Sequence, residues 1–284
     1  MANITSATSG NSNVGATWTG GSVPTSADNA IIQDTHTVTQ NAAHTFKSLR
    51  VETGGTWTAD GSNHLTLSGE NDSDFALQIV DGTYNHANGT VVINNGGGGI
   101  AHAAIQAGVG NSTTGLYDLT ISGGGTICEI YGDTTIHRNM EAGGSETVLR
   151  GSLTVTGNLT INATLNTRFS STDKNLTVAG TTQVTGTLTC NSSAISLGTG
   201  LTSGWGLDIQ SGGTFNGGSA THTIGSIFAA GGGTRTITLS SGATTIDSKN
   251  TGNGYSINLA SGATFNHGSG TVTMTYAGNT LIQL

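Results

Sequence analysis

Proline occurs once in the 284 residues, cysteine twice, and charged side chains supply only 8% of the chain. Each shortage excludes something. Collagen is out: glycine reaches 46 residues, but no Gly-X-Y period accompanies it and proline is absent from the repeats. Cys128 and Cys190 form no Cys-x-x-Cys pair, so neither a zinc ribbon nor dithiol redox chemistry is indicated. They are expected as small buried side chains. Lys and Arg number 8 against 16 Asp and Glu, giving net −8 with the cations scattered. A nucleic-acid partner would want a basic stripe, so none is expected. No apolar run is long enough to span a bilayer, so membrane insertion is not expected either. The opening Met-Ala-Asn-Ile-Thr-Ser has no basic region before an apolar stretch, so no secretory signal is read there. The chain then acts where it is made, leaves by lysis or another route, or is a piece of a larger exported protein. No window shows helical periodicity, so almost no helix is expected.

What is present is a repeat. Leu207-Asp-Ile-Gln-Ser-Gly-Gly-Thr-Phe215, Ile237-Thr-Leu-Ser-Ser-Gly-Ala-Thr-Thr245 and Ile257-Asn-Leu-Ala-Ser-Gly-Ala-Thr-Phe265 share a short apolar alternation, a Gly corner and a Thr. Earlier copies are Leu49-Arg-Val-Glu-Thr-Gly-Gly-Thr-Trp57 and Leu77-Gln-Ile-Val-Asp-Gly-Thr-Tyr84. The anchor threonines Thr214, Thr244 and Thr264 are 30 and 20 apart, and Thr56 and Thr83 are 27 apart. Such spacing marks a solenoid, and period-two alternation makes its elements strands. The fold expected is an all-β, single-stranded parallel β-helix with about 20–30 residues per coil. An N-terminal cap and first strands occupy residues 1–44, and rungs run through 45–284 as one continuous domain. Residues 94–115, with Gly96 to Gly99, read as an irregular loop or distorted rung. An antiparallel sandwich is the alternative, with hairpins that want Asn-Gly turns of the Asn88-Gly89 kind.

The cap is read from Trp18 and Pro24. A solenoid must cover its terminal strand edges. Trp18 supplies an apolar lid, and the lone Pro24 sits outside the stacked strands, where a missing N–H does no harm. Trp18-Thr-Gly-Gly-Ser-Val-Pro24-Thr-Ser-Ala-Asp28, followed by Ile31-Ile32 and His36-Thr-Val-Thr, resembles the opening of G8-like β-helix proteins of bacterial surfaces and phage particles. Tyr84-Asn-His86-Ala-Asn-Gly89-Thr, Leu116-Tyr-Asp-Leu-Thr-Ile-Ser and Phe265-Asn-His267-Gly-Ser-Gly270-Thr resemble the same group. The resemblance implies a structural β-solenoid, commonly a trimer in virion spikes and decorations.

Sites are weighed against plainer roles. Glu70, Asp72 and Asp74, with Asp81 near, are the one calcium candidate. The stretch lacks the twelve-residue loop and the β-roll nonapeptide, so a solvated turn is expected and no cofactor is assigned. Trp57, Tyr84, Phe215 and Phe265 share one repeat position and are expected as an internal aromatic stack. Trp205 is the least patterned aromatic and is placed at a surface or interface. His86 and His267 recur at the same place, which favours bonding to a corner over a metal ring or proton shuttle. Glycan cleavage needs two carboxylates roughly 5–10 Å apart. Asp118, Glu129 and Asp133 are one candidate cluster, with Arg138 near, and no catalytic residue is assigned.

The expected function is therefore non-enzymatic: a structural protein of a phage virion, a capsid-surface decoration (cement) protein or a short fibre. The alternative is a passenger segment of a bacterial adhesin at the cell surface, and the third reading is a glycan-cleaving or glycan-binding spike. Expected partners are copies of itself in a homotrimer, the major capsid protein or other virion proteins, and surface glycans. Only five charges lie between residues 174 and 284. A soluble monomer would normally carry more there, so the C-terminal half is expected nearest the three-fold axis.

Overall fold

The computed structural model describes residues 2–69, 75–94, 101–106, 115–169, 172–248, 254–259, 262–276 and 281–283. The fold is an all-β parallel β-solenoid of about ten turns, with about 23 residues per turn. Among the described residues there is no α-helix, and the 3-10 turns Gly15–Thr17 and Thr19–Gly21 flank Trp18. Among the described residues, pairing is parallel in every ladder that runs from coil to coil. Among the described residues, antiparallel contacts are confined to the pair Arg168–Phe169 with Thr172–Asp173 and the bridge Ser6 to Trp18. That excludes the sandwich.

The chain divides into two compact units, Met1–His137 and Arg138–Leu284. In the first unit each coil contributes to up to three ladders. One carries Asn3–Thr5, Asn29–Ile32, Ser48–Val51, Phe75–Ile79, Ala101–Gln106 and Thr126–Tyr131. A second carries Gly10–Asn11, Thr37–Thr39, Thr56–Thr58 and Thr83–Asn85. The third carries His44–Phe46, Leu65–Leu67, Thr90–Asn94 and Asp118–Ser122. Residues 1–44 thus include strands of the ladders as well as the lid. Within 94–115, expected as loop or distorted rung, Ala101–Gln106 is a strand whose register slips against Phe75–Ile79 between Ala104 and Ile105. Gly96 to Gly99 lie outside the described residues.

Alternation explains the core. In the second unit Leu153, Leu176 and Ile195 stack in register, each at most 3% exposed. Leu165, Leu188, Phe215 and Ile237 do the same on another face. Each such side chain contributes about 1.5–3 kcal/mol of burial. Strand ends need different chemistry. The Asn139 carboxamide oxygen accepts the backbone N–H of Asn158 at 3.0 Å, and the Asn158 oxygen accepts that of Thr181 at 2.9 Å. Corner asparagines thereby satisfy the backbone of the next coil, which would otherwise lack a partner.

The repeat alignment needs one correction. Thr56 and Thr83 are true register partners, as are Trp57 and Tyr84. Thr214, however, pairs with Thr236, and Thr236 with Thr264. Thr244 lies on another face, between His222 and Val272. Coil length varies, from 18 residues between Glu146 and Thr164 to 30 between Ile227 and Ile257. A fixed sequence period therefore cannot hold the register.

Candidate interaction surfaces

The N-terminal lid is built around one indole. Trp18 is 1% exposed, and its Nε1–H donates to the Ser12 carbonyl at 2.8 Å. Its ring meets Phe46 edge-on at 6.2 Å, and Phe46 meets Trp57 the same way at 6.1 Å. Pro24 is buried. Beside this cluster His44 stacks on Phe46 at 5.0 Å, and its Nε2 pairs with the Ser12 hydroxyl at 2.6 Å. Burial holds the His44 pKa below the usual histidine value.

The four repeat aromatics do not form one stack. Trp57 and Tyr84 pair in register in the first unit, both buried. Phe215 and Phe265 belong to the second unit and are separated by Ile237. Phe215 is fully buried, whereas Phe265 is half-buried because it lies in the last coils. Trp205 is half-buried and stacks on Phe228 at 4.9 Å and 28°. Next to Phe228 on the same face is Asp208, whose Oδ1 accepts the Gln210 amide at 2.7 Å. Desolvation raises the Asp208 pKa, against the opposing pull of its Gln210 and Gln183 hydrogen bonds and of Arg235.

The histidine corners have a common geometry. His86 Nδ1 accepts the Asn88 N–H at 3.2 Å, and His267 Nδ1 accepts the Ser269 N–H at 3.1 Å. Asn85 and Asn266 accept from Ala87 and Gly268 in the same way. Ala87 and Asn88, like Gly268 and Ser269, have positive φ at both central positions. The sequence Asn-His followed by two left-handed residues therefore makes one turn twice, with each ring bonding its own corner. His86 also contacts Tyr117 at 5.4 Å and His137 at 5.0 Å.

Glu70, Asp72 and Asp74 lie outside the described residues. Among the described residues, no group of three or more His, Cys, Asp or Glu is placed to hold a metal ion. Asp118 and Glu129 sit on different ladders of the first unit, 6% and 7% exposed. Glu129 accepts the Tyr131 hydroxyl at 2.8 Å. Cys128 and Cys190 are buried free thiols, and burial pushes both pKa values up, against thiolate chemistry.

Two surfaces depart from the pattern of the stack. The first is a groove of about 290 Å³ on the ladder that contains Ser48–Val51, with Asn3, Asn29, Ser48, Arg50, Phe75 and Gln78 around it. Nothing in the sequence reading singled it out. The second is the last part of the chain. Among the described residues the exposed large apolar side chains are Val14, Val272, Tyr276, Leu281 and Ile282, at 37–52% exposure. Four of these five lie beyond residue 271, and Thr244 and Ile257, the register partners of Val272 and Ile282 in the preceding coil, are buried.

No family model matches the chain, and no curated protein or solved structure matches it. The resemblance noted in the sequence stands at the level of the β-solenoid fold.

Proposed function

We propose that the chain is a non-enzymatic structural protein of a phage virion surface, a capsid decoration protein or short fibre. It works as a homotrimer seated among other virion proteins such as the major capsid protein. The observation that carries this reading is the concentration of exposed apolar side chains in the last coils of the second unit. Val272, Leu281 and Ile282 are side chains of the type that the solenoid buries elsewhere, and the surrounding half of the chain has few charges to keep such a surface dispersed. Copies meeting around a closed axis cover identical faces without forming filaments. Ladders held by in-register burial suit a mechanical part, since every coil depends on its neighbours.

Sedimentation equilibrium at micromolar concentration tests the reading. The expected species is about three times the 28.4 kDa chain. Ile282→Asp, which places a charge on a half-exposed position, is expected to give monomers with unchanged circular dichroism. A wild-type monomer would overturn self-sufficient trimerisation.

A further inference from the structure

We propose that the groove on the first unit is a binding site for a neutral saccharide ring. The ladder carries a fault at this groove. Phe75 pairs with Ala104 and Leu77 with Ile105, so Ala76 is an extra residue opposite no partner. Ala76 and Leu77 are both fully buried, and Phe75, which strict alternation from Leu77 would turn inward, is half-exposed at the groove. Such bulges interrupt hydrogen bonding and re-aim a side chain, and they gather at functional positions. Phe75 is braced in this place by an edge-on contact with Tyr131 at 5.1 Å. Tyr131 is itself fixed by its hydrogen bond to Glu129.

The polar side of the groove is prearranged. Asn29 Nδ2 donates to Asn3 Oδ1 at 2.9 Å, and the Ser48 hydroxyl donates to Asn29 Oδ1 at 2.8 Å. Two residues along the strand from Ser48, Arg50 is the register partner of Gln78, with Ile31 on its other side. Arg50 engages Glu52 through Nε at 2.9 Å and through Nη2, and Nη1 takes no part in that pairing. Carboxamides, a hydroxyl and a guanidinium edge offer both donors and acceptors. Ring hydroxyls need both, and an aromatic side chain offers an apolar surface to the ring's C–H bonds. The volume is at the low end of the roughly 300–1,000 Å³ range of small-molecule sites, which fits one sugar unit. Charge selects the class of sugar. Glu52 neutralises Arg50, and the adjoining depression is lined by Asp34 and Glu52. A uronic or sialic acid would meet net negative potential, whereas a neutral pyranose meets none.

Saturation-transfer NMR tests this on the full chain. The probes are methyl α-glucopyranoside, methyl β-galactopyranoside and N-acetylglucosamine, with glucuronate as the charged comparison. At least one neutral probe is expected to bind with a Kd of about 1–10 mM. Phe75→Ala and Gln78→Ala are each expected to weaken it by about tenfold. Arg50→Gln, at an exposed position that leaves folding intact, is expected to do the same. Trp205→Ala, in the other unit, is expected to have no effect. The proposal is overturned if no neutral probe binds at about 20 mM. It is equally overturned if Arg50→Gln and Gln78→Ala leave binding unchanged, or if glucuronate binds more tightly than every neutral probe. None of these outcomes bears on the oligomeric state, so the trimer and the groove can fail separately.

Discussion

Replacing Trp18 by alanine removes the largest side chain of the N-terminal lid. Trp18 is 1% exposed and wedged against Phe46, so the loss is that of a core aromatic, about 3–5 kcal/mol. The Ser12 carbonyl also loses its donor, which places the value toward the upper end by about 1 kcal/mol. Trp18→Phe keeps an apolar ring against Phe46 and loses the indole N–H, so it should cost about 1–2 kcal/mol. Amide hydrogen exchange followed by mass spectrometry is the suitable assay, because coils in a stack are coupled mainly to their neighbours. Trp18→Ala should strip protection first from Asn3–Thr5, Gly10–Asn11 and His44–Phe46, the strands nearest the lid. Urea unfolding of the same variant should show the lowered midpoint. Unchanged protection there, with stability within about 0.5 kcal/mol of wild type, is what a surface substitution gives and would refute the lid.

Other perturbations have equally definite outcomes. Thr182 is fully buried between Leu159 and Leu207, and among the described residues its hydroxyl has no hydrogen-bond partner. Thr182→Val should therefore stabilise the chain by about 1 kcal/mol in urea unfolding, and a loss would show that the hydroxyl is satisfied. A Cβ at Gly186 would collide with the Ala163 carbonyl, whereas Gly200, at φ +72°, faces open space. Gly186→Ala should cost about 3 kcal/mol or more, and Gly200→Ala about 1 kcal/mol for its backbone alone, read from thermal unfolding. Equal costs would contradict the coil contacts. Burial holds the pKa values of His44 and His222 below the usual histidine value. Below about pH 6.5 the unfolded chain takes up protons that the folded chain refuses, so stability falls as pH drops. The urea midpoint should rise from about pH 5 to about pH 7, and a falling midpoint would reverse the assignment.

The solenoid was legible because its signal is local. Leu-Asp-Ile or Leu-Thr-Val followed by a Gly corner states strand, face and turn within ten residues. The pairing of Thr56 with Thr83 was legible for the same reason, since both are followed by aromatics that are themselves register partners. Register over longer distances was not. Thr244 occupies the same local motif as Thr214 but a different face, because intervening corners gain and lose residues without disturbing the strands. The groove was hidden for a related reason. A bulge at Ala76 adds one residue and inverts the reading of Phe75, and no residue type marks it. Asp118 and Glu129 are eleven positions apart in sequence, a span that carries the chain from one ladder to another, and strand alternation does not register such a change of face. Trp205 lacked any repeat context, and its partner Phe228 comes from the following coil.

The central claim is that the last coils of the second unit form the contact between copies of this chain. Cryo-electron microscopy of the purified protein at micromolar concentration tests it most directly. The account predicts a three-fold particle with Val272, Leu281 and Ile282 buried at the axis. Particles of a single chain, or a trimer whose Ile282 faces solvent, would contradict it.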